Sequence, residues 1–191
     1  MLAGGQLETA DSLRAARLLK PDSPLPIGSG QTISQPYIVA LTADAISAVP
    51  ENGLILEIGT GCGYSAAVLS RLVPHGKVVT VERISDLAKD AAERLAAQYP
   101  NVHVHVGDGT LGYAEGAPYD AIAVTAAGPG IPASLVRQLK VGGVMCIPIG
   151  TFDGHQELTV AKKLDEAGRL STQNICDVRF VPLLGEEGFR I

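Results

Sequence analysis

The chain has 191 residues, 46% of them hydrophobic, which is enough to bury one substantial core and suggests a single domain over residues 1–191. A formal net charge of -5 supplies no general basic field, and this argues against extended nucleic-acid binding. No apolar run approaches a membrane span, and the opening residues lack a basic segment followed by an apolar one, so a cytoplasmic protein with no membrane partner is expected.

Residues 1–30 read as a short irregular N-terminal extension, because Pro21, Pro24 and Pro26 break any helix after Leu19. The run Gln-Thr-Ile-Ser-Gln-Pro over residues 31–36 then reads as entry to a helix over 36–49. In that reading Ser34 or Gln35 is the cap and Pro36 lies in the first turn. An apolar strand over 54–58 stops abruptly at Gly59, Gly61 and Gly63, and a helix over 65–72 follows. The next strand, 78–82, ends in Glu82, and the helix over 85–99 places Ile84, Leu87, Ala88, Ala91 and Leu95 on one apolar face. A strand over 102–106 runs into Gly107, Asp108 and Gly109; strands over 120–125 and 144–149 flank a short helix over 132–139. The runs 155–164 and 172–181 are joined by a link too short for a parallel crossover, so they form an antiparallel hairpin. The expected fold is α/β: a doubly wound, mostly parallel seven-stranded sheet, Rossmann-like, with a C-terminal antiparallel hairpin.

The strand, glycine turn and helix at 54–72 suit a nucleotide-containing cofactor. However, the spacing Gly-x-Gly-x-Gly puts Tyr64 where a dinucleotide fingerprint wants a third small residue. Glu82 stands where a carboxylate takes ribose hydroxyls, and Asp108, at the carboxyl edge of the sheet, is placed to accept from an exocyclic amine. Glu57 adds a further anion inside the first strand. A cofactor bearing an ammonium and a sulfonium suits that acidic setting better than a pyrophosphate does, which points to S-adenosyl-L-methionine. Thr125, at the end of the strand over 120–125, stands at the cleft in this topology. Cys62, Cys146 and Cys176 form no Cys-x-x-Cys pair, and His103 and His105 share one strand face without a third ligand at a suggestive spacing, so no metal is expected.

The segment Pro-Ile-Gly-Ser-Gly-Gln-Thr-Ile-Ser-Gln-Pro-Tyr over 26–37 resembles the signature of the protein-L-isoaspartate O-methyltransferase family. It is followed in order by Glu-Ile-Gly-Thr-Gly-Cys-Gly-Tyr-Ser (57–65), Val-Glu-Arg (81–83), Gly-Asp-Gly (107–109), Pro-Tyr-Asp (118–120) and Phe-Val-Pro-Leu (180–183). The likeness spans about residues 24–189. It implies a repair enzyme that methylates the α-carboxylate of L-isoaspartyl residues in damaged proteins and peptides. By this resemblance Ser34 is the active-site serine, with Thr32 beside it. Gly59, Thr60, Gly61, Gly63, Arg83 and Gly109 join Glu57, Glu82 and Asp108 as expected cofactor contacts, and Gln156 lies near the cofactor. A carboxylate of pKa about 4 is already a nucleophile at neutral pH, so no strong general base is needed, and Thr32 and Ser34 are expected to position it. The partners implied are isoaspartyl-containing proteins and peptides, with a monomer as the default. Two alternatives remain: a related carboxyl methyltransferase with a dedicated peptide substrate, and a non-catalytic cofactor-binding protein.

Overall fold

The computed structural model describes residues 25–28 and 30–190; the irregular extension expected over residues 1–24 and the position of Ser29 lie outside them. The described elements in chain order are β1 (Leu25–Gly28), β2 (Gln31–Ile33), α1 (Pro36–Ala45), β3 (Leu54–Ile58), α2 (Tyr64–Ser70), β4 (Lys77–Glu82), α3 (Ser85–Leu95) and β5 (Val102–Val106). They continue with β6 (Tyr119–Val124), α4 (Ala133–Gln138), β7 (Leu139–Gly150), β8 (Gln156–Lys163) and β9 (Leu170–Val178). Strands β3 to β9 form one seven-stranded sheet in the order β5-β4-β3-β6-β7-β8-β9. The pairs among β5, β4, β3, β6 and β7 are parallel, whereas β7–β8 and β8–β9 are antiparallel. This is the expected doubly wound sheet with its C-terminal hairpin.

The alternation of side chains along the central strands divides the core. Leu56, Ile58, Val79, Val81, Ile122 and Val124 pack on one face with Leu135 and Leu139. Ile55, Val78, Ala121 and Ala123 pack on the other with Ala43, Ile46 and Leu69. Burying each of the larger aliphatic side chains contributes about 1.5 to 3 kcal/mol. From β3 the chain winds outward through β4 to β5, then crosses back to β6 on the other flank of β3. The carboxyl ends of β3 and β6 therefore flank the switch point, where α/β sheets open a ligand crevice.

Three expectations are corrected. The irregular extension does not reach residue 30, because Leu25–Gly28 pairs antiparallel with Gln31–Ile33 in a separate two-stranded sheet. The prolines exclude a helix there but not an edge strand, and Gly28 and Gly30, with φ of 96° and 70°, make the turn. Helices α1 and α3 stop at Ala45 and Leu95, four residues short of the apolar pattern in each case. The last strand ends at Val178 rather than residue 181, because the Phe180 N–H donates to the side chain of Gln156 (2.7 Å) and the chain leaves the sheet there.

Candidate cofactor and substrate cleft

The β3–α2 turn owes its shape to glycine. Gly59 and Gly63 have φ of 92° and 88°, where other L-residues are strained. A β-carbon on Gly59 would run into the Thr125 hydroxyl, and one on Gly63 would come within 2.9 Å of Leu95. The Thr125 hydroxyl donates to the carbonyls of Gly59 (2.7 Å) and Ile58 (3.0 Å), tying the end of β6 to the turn. From β4, the Glu82 carboxylate accepts the Gly61 N–H at 2.9 Å and the Ile84 N–H at 3.0 Å. Glu82 thus fixes the glycine turn and the entry to α3 while itself lining the cleft.

The cleft takes in roughly 910 Å³ of space when the solvent at its mouth is included. Its lining draws on Gln31, Thr32 and Ser34 from the β2–α1 run, Gly59, Thr60 and Gly61 from the turn, and Glu82 and Arg83 after β4. Gly109, Thr125 and Val181 to Leu184 also line it. Gln35 is the N-cap residue of α1: its carbonyl accepts the N–H groups of Ile38 and Val39 at 2.9 and 3.1 Å. Ser34 therefore stands just outside the helix, in the cleft wall.

Glu57 lies beneath this surface, fully buried. Its Oε2 accepts from the Thr80 hydroxyl at 2.6 Å, and the Thr80 and Thr60 hydroxyls are joined at 2.7 Å. Since Thr80 gives its proton to Glu57, Thr60 donates to Thr80. Oε1 closes no hydrogen bond of ordinary geometry, although the neighbouring Ser65 hydroxyl favours the ionised form. Burial is the dominant effect and pushes the Glu57 pKa up to about 7, aided by the negative charge of Glu82 and opposed by Thr80 and Ser65.

Three of the expected residues are engaged elsewhere. Asp108 gives Oδ1 to the Thr110 N–H and hydroxyl (2.9 and 2.7 Å) and Oδ2 to the Glu186 N–H (2.8 Å). Desolvation alone would raise its pKa. The bonds from Glu186 and Thr110, together with the Arg83 charge, outweigh that and hold it below the usual carboxylate value. Gln156 is buried, and its amide accepts from Phe180 N–H while donating to the Phe180 carbonyl (3.3 Å), which anchors the strand exit leading to the cleft-lining residues 181–184. Gly63 shapes the turn without lining the cleft. Farther along, the Glu187 carboxylate accepts from the Ser134 N–H and hydroxyl, both at 2.8 Å, and clasps the tail to α4.

Sequence reasoning missed Ile27, Tyr64 and Ser65 in the lining. The apolar wall from 181 to 184 was visible only as a motif. Among the described residues, His155, Glu157 and Asp177 bring three potential ligand atoms within 4.8 Å of one another on the β8–β9 pair, a largely exposed grouping that no sequence spacing suggests. His105 instead stacks on Tyr113.

The glycine turn, the buried acid with an unpartnered oxygen and the carboxylate at the end of β4 suit a cationic nucleoside ligand such as S-adenosyl-L-methionine. The protein-L-isoaspartate(D-aspartate) O-methyltransferase family profile matches residues 16–188. The chain belongs to this family. A Pelobacter propionicus protein-L-isoaspartate O-methyltransferase is 52% identical over 169 residues, covering 88% of this chain and 73% of the relative. The Archaeoglobus fulgidus enzyme is 50% identical over 171 residues, covering 88% and 76%. A solved protein-L-isoaspartate O-methyltransferase superposes with a TM-score of 0.77 at 31% identity, over 95% of this chain and 63% of its own. A Plasmodium falciparum structure in complex with S-adenosyl-L-homocysteine shares the fold, with a TM-score of 0.77 at 24% identity over 91% and 90%.

Proposed function

We infer that this protein transfers a methyl group from S-adenosyl-L-methionine to the α-carboxylate of L-isoaspartyl residues in damaged proteins and peptides. The observation that carries the reading is the meeting, in one cleft, of the residue 31–34 run with the glycine turn and Glu82. Generic cofactor folds have no need of that run. When bound, S-adenosyl-L-methionine supplies an electrophilic methyl group on a cationic sulfur. The Gly59, Thr60 and Gly61 backbone receives the ligand, Glu82 takes ribose hydroxyls, and Arg83 and Gly109 flank it. Asp108 keeps lone pairs for an amine while holding the Glu186 N–H. Gln156 acts one step removed, by fixing Phe180.

Thr32 and Ser34 hold the substrate carboxylate so that one oxygen keeps its attacking lone pair. That oxygen forms the O–CH₃ bond as the S–CH₃ bond breaks, with its electron pair left on sulfur, and both products are neutral at the reacting centre. Orientation suffices because the nucleophile is ionised at neutral pH. The following backbone nitrogen then attacks the ester carbonyl, the ester C–O bond breaks and methanol leaves with the nitrogen's proton, giving a succinimide whose hydrolysis returns some normal aspartate. The reading treats residues 1–191 as one methyltransferase domain, monomeric and cytoplasmic, acting on isoaspartyl polypeptides rather than nucleic acid or membrane. Among the described residues no helix is long and apolar enough to cross a membrane.

Incubation with methyl-labelled S-adenosyl-L-methionine and paired isoaspartyl and aspartyl peptides tests it. Label should enter the isoaspartyl peptide by a margin of about two orders of magnitude, since misplacing a nucleophile by about 1 Å costs that much in rate. Equal labelling of both peptides rejects the repair activity.

A further inference from the structure

Glu57 does not itself line the cleft; it lies one layer below, reached through hydroxyls. Thr60 and Ser65 both line the cleft, Thr60 joins Glu57 through Thr80, and Ser65 stands beside the carboxyl. The elements packed on Glu57 offer it almost no countercharge. Strand β4 presents Thr80 and the anionic Glu82, β6 presents Ala123 at the paired position, and α2 presents Ser65. Arg83 acts on Asp108. A fully buried carboxyl thus keeps one oxygen without a partner directly under a cleft suited to a cation.

We propose that Glu57 makes the cleft discriminate by charge between S-adenosyl-L-methionine and its demethylated product, S-adenosyl-L-homocysteine, by taking up a proton when the sulfonium charge is lost. The proposal rests on the cofactor reading above. The two ligands differ by one methyl group and one positive charge. In a low-dielectric site a cation overhead stabilises the ionised carboxylate, which then holds the cation in turn. Methyl transfer removes that charge, and a proton on Glu57 replaces the lost compensation inside the protein. The product is left over a neutral floor and the anion that favoured the substrate is gone. Burial places the exchange near neutrality, with the Glu57 pKa at about 7 in the unliganded protein.

Calorimetric titration of the intact protein with each ligand from pH 6 to pH 8 reads this directly. The ratio of product to substrate dissociation constants should rise about fivefold or more across that range in the wild type, and by less than about twofold in Glu57→Gln. The amine of each ligand titrates against both proteins, so the difference between the profiles isolates Glu57. Thr80→Val removes a donor that favours the anion and should move the midpoint to higher pH; Thr80→Ser should leave it in place. That pair carries the test if Glu57→Gln does not fold. A flat ratio in the wild type, with both ligands bound, overturns the proposal and leaves the cofactor reading standing. An unchanged profile in Glu57→Gln, or an unmoved midpoint in Thr80→Val, also overturns it. Failure of either ligand to bind at any pH overturns the cofactor reading, and the proposal with it.

Discussion

The part of the cleft formed by residues 58–65 and 81–84 comes from one continuous β–α–β unit, whereas the part formed by Ile27, residues 31–34 and residues 181–184 joins opposite ends of the described chain. The first takes its shape from backbone that only glycine adopts readily, braced by Thr125 and Glu82. The second is held by side chains reaching across the fold: Gln156 to Phe180, Asp108 to Glu186, and Glu187 to Ser134. Local sequence can specify the first almost alone. The second exists only after distant segments have met, and its residues are free to vary in detail as long as the braces hold.

The largest effect should come from breaking the first part. Gly59→Val places a branched side chain at φ 92° and against the Thr125 hydroxyl. Strain of about 1 to 3 kcal/mol, with the loss of the Thr125 bonds, should lower the melting temperature and reduce S-adenosyl-L-methionine affinity about a hundredfold or more by calorimetry. Affinity within about threefold of the wild type would mean that backbone conformation does not govern this wall.

Next comes the pH dependence of stability in the unliganded protein. Glu57 has its folded pKa raised from 4.5 to about 7, so its protonated form is favoured in the folded state. Stability should therefore decline as pH rises from about 4.5 to about 7 and change no further above that. The linkage is worth on the order of 3 kcal/mol at most. Denaturant unfolding at pH 5 and pH 8 should show the decline in the wild type and not in Glu57→Gln. A decline of the same size in the variant would trace it to other groups.

Ser34→Ala addresses the other part. Because Gln35 is the N-cap residue, the substitution should leave the melting temperature and cofactor affinity nearly unchanged. Turnover of isoaspartyl peptide should fall about tenfold at saturating cofactor. A variant that melts earlier but turns over normally would return Ser34 to a structural role and weaken the contrast.

The smallest effect should come from the tail clasp. Glu187→Ala should raise the KM for peptide by a few-fold, about 2 to 5, with little change in cofactor affinity. The Glu187 pKa lies below its ordinary value of 4.5, chiefly through the Ser134 N–H. Its contribution is present above the unfolded value and disappears as pH falls through the folded one. Wild type and variant should then converge in peptide KM only as pH falls through the folded value, which lies below 4.5, whereas a difference that persists past it would mean that the clasp does not depend on the charge.

This contrast also explains what could be read from sequence. The strand over 54–58 matches β3 residue for residue, and the apolar runs at β4 and β6 locate the sheet centre, because continuous burial leaves a one-dimensional signature; β5, at the sheet edge and half exposed, shows only alternating valines. The β1–β2 hairpin leaves none: three strand residues before a glycine turn, and a proline, look like loop. Ser65 passed for an ordinary first-turn helix residue until the structure set it beside Glu57. The engagement of Gln156 with Phe180 was beyond reach, since only the strand exit at Val178 brings Phe180 to that amide.

The bonds of Val181 and Leu183 to Ala127, with the clasp at Glu187, also set an order of assembly. During synthesis, strands β3 to β6 can pair while the tail is still inside the ribosome, for they need only one another and the helices between them. The cleft lacks a wall until residues 181–187 have emerged and docked across contacts of long sequence separation, among the slower events in folding. Cofactor capture therefore waits for residues 181–187, and a nascent chain stalled before Phe180 should fold much of its sheet yet hold no ligand.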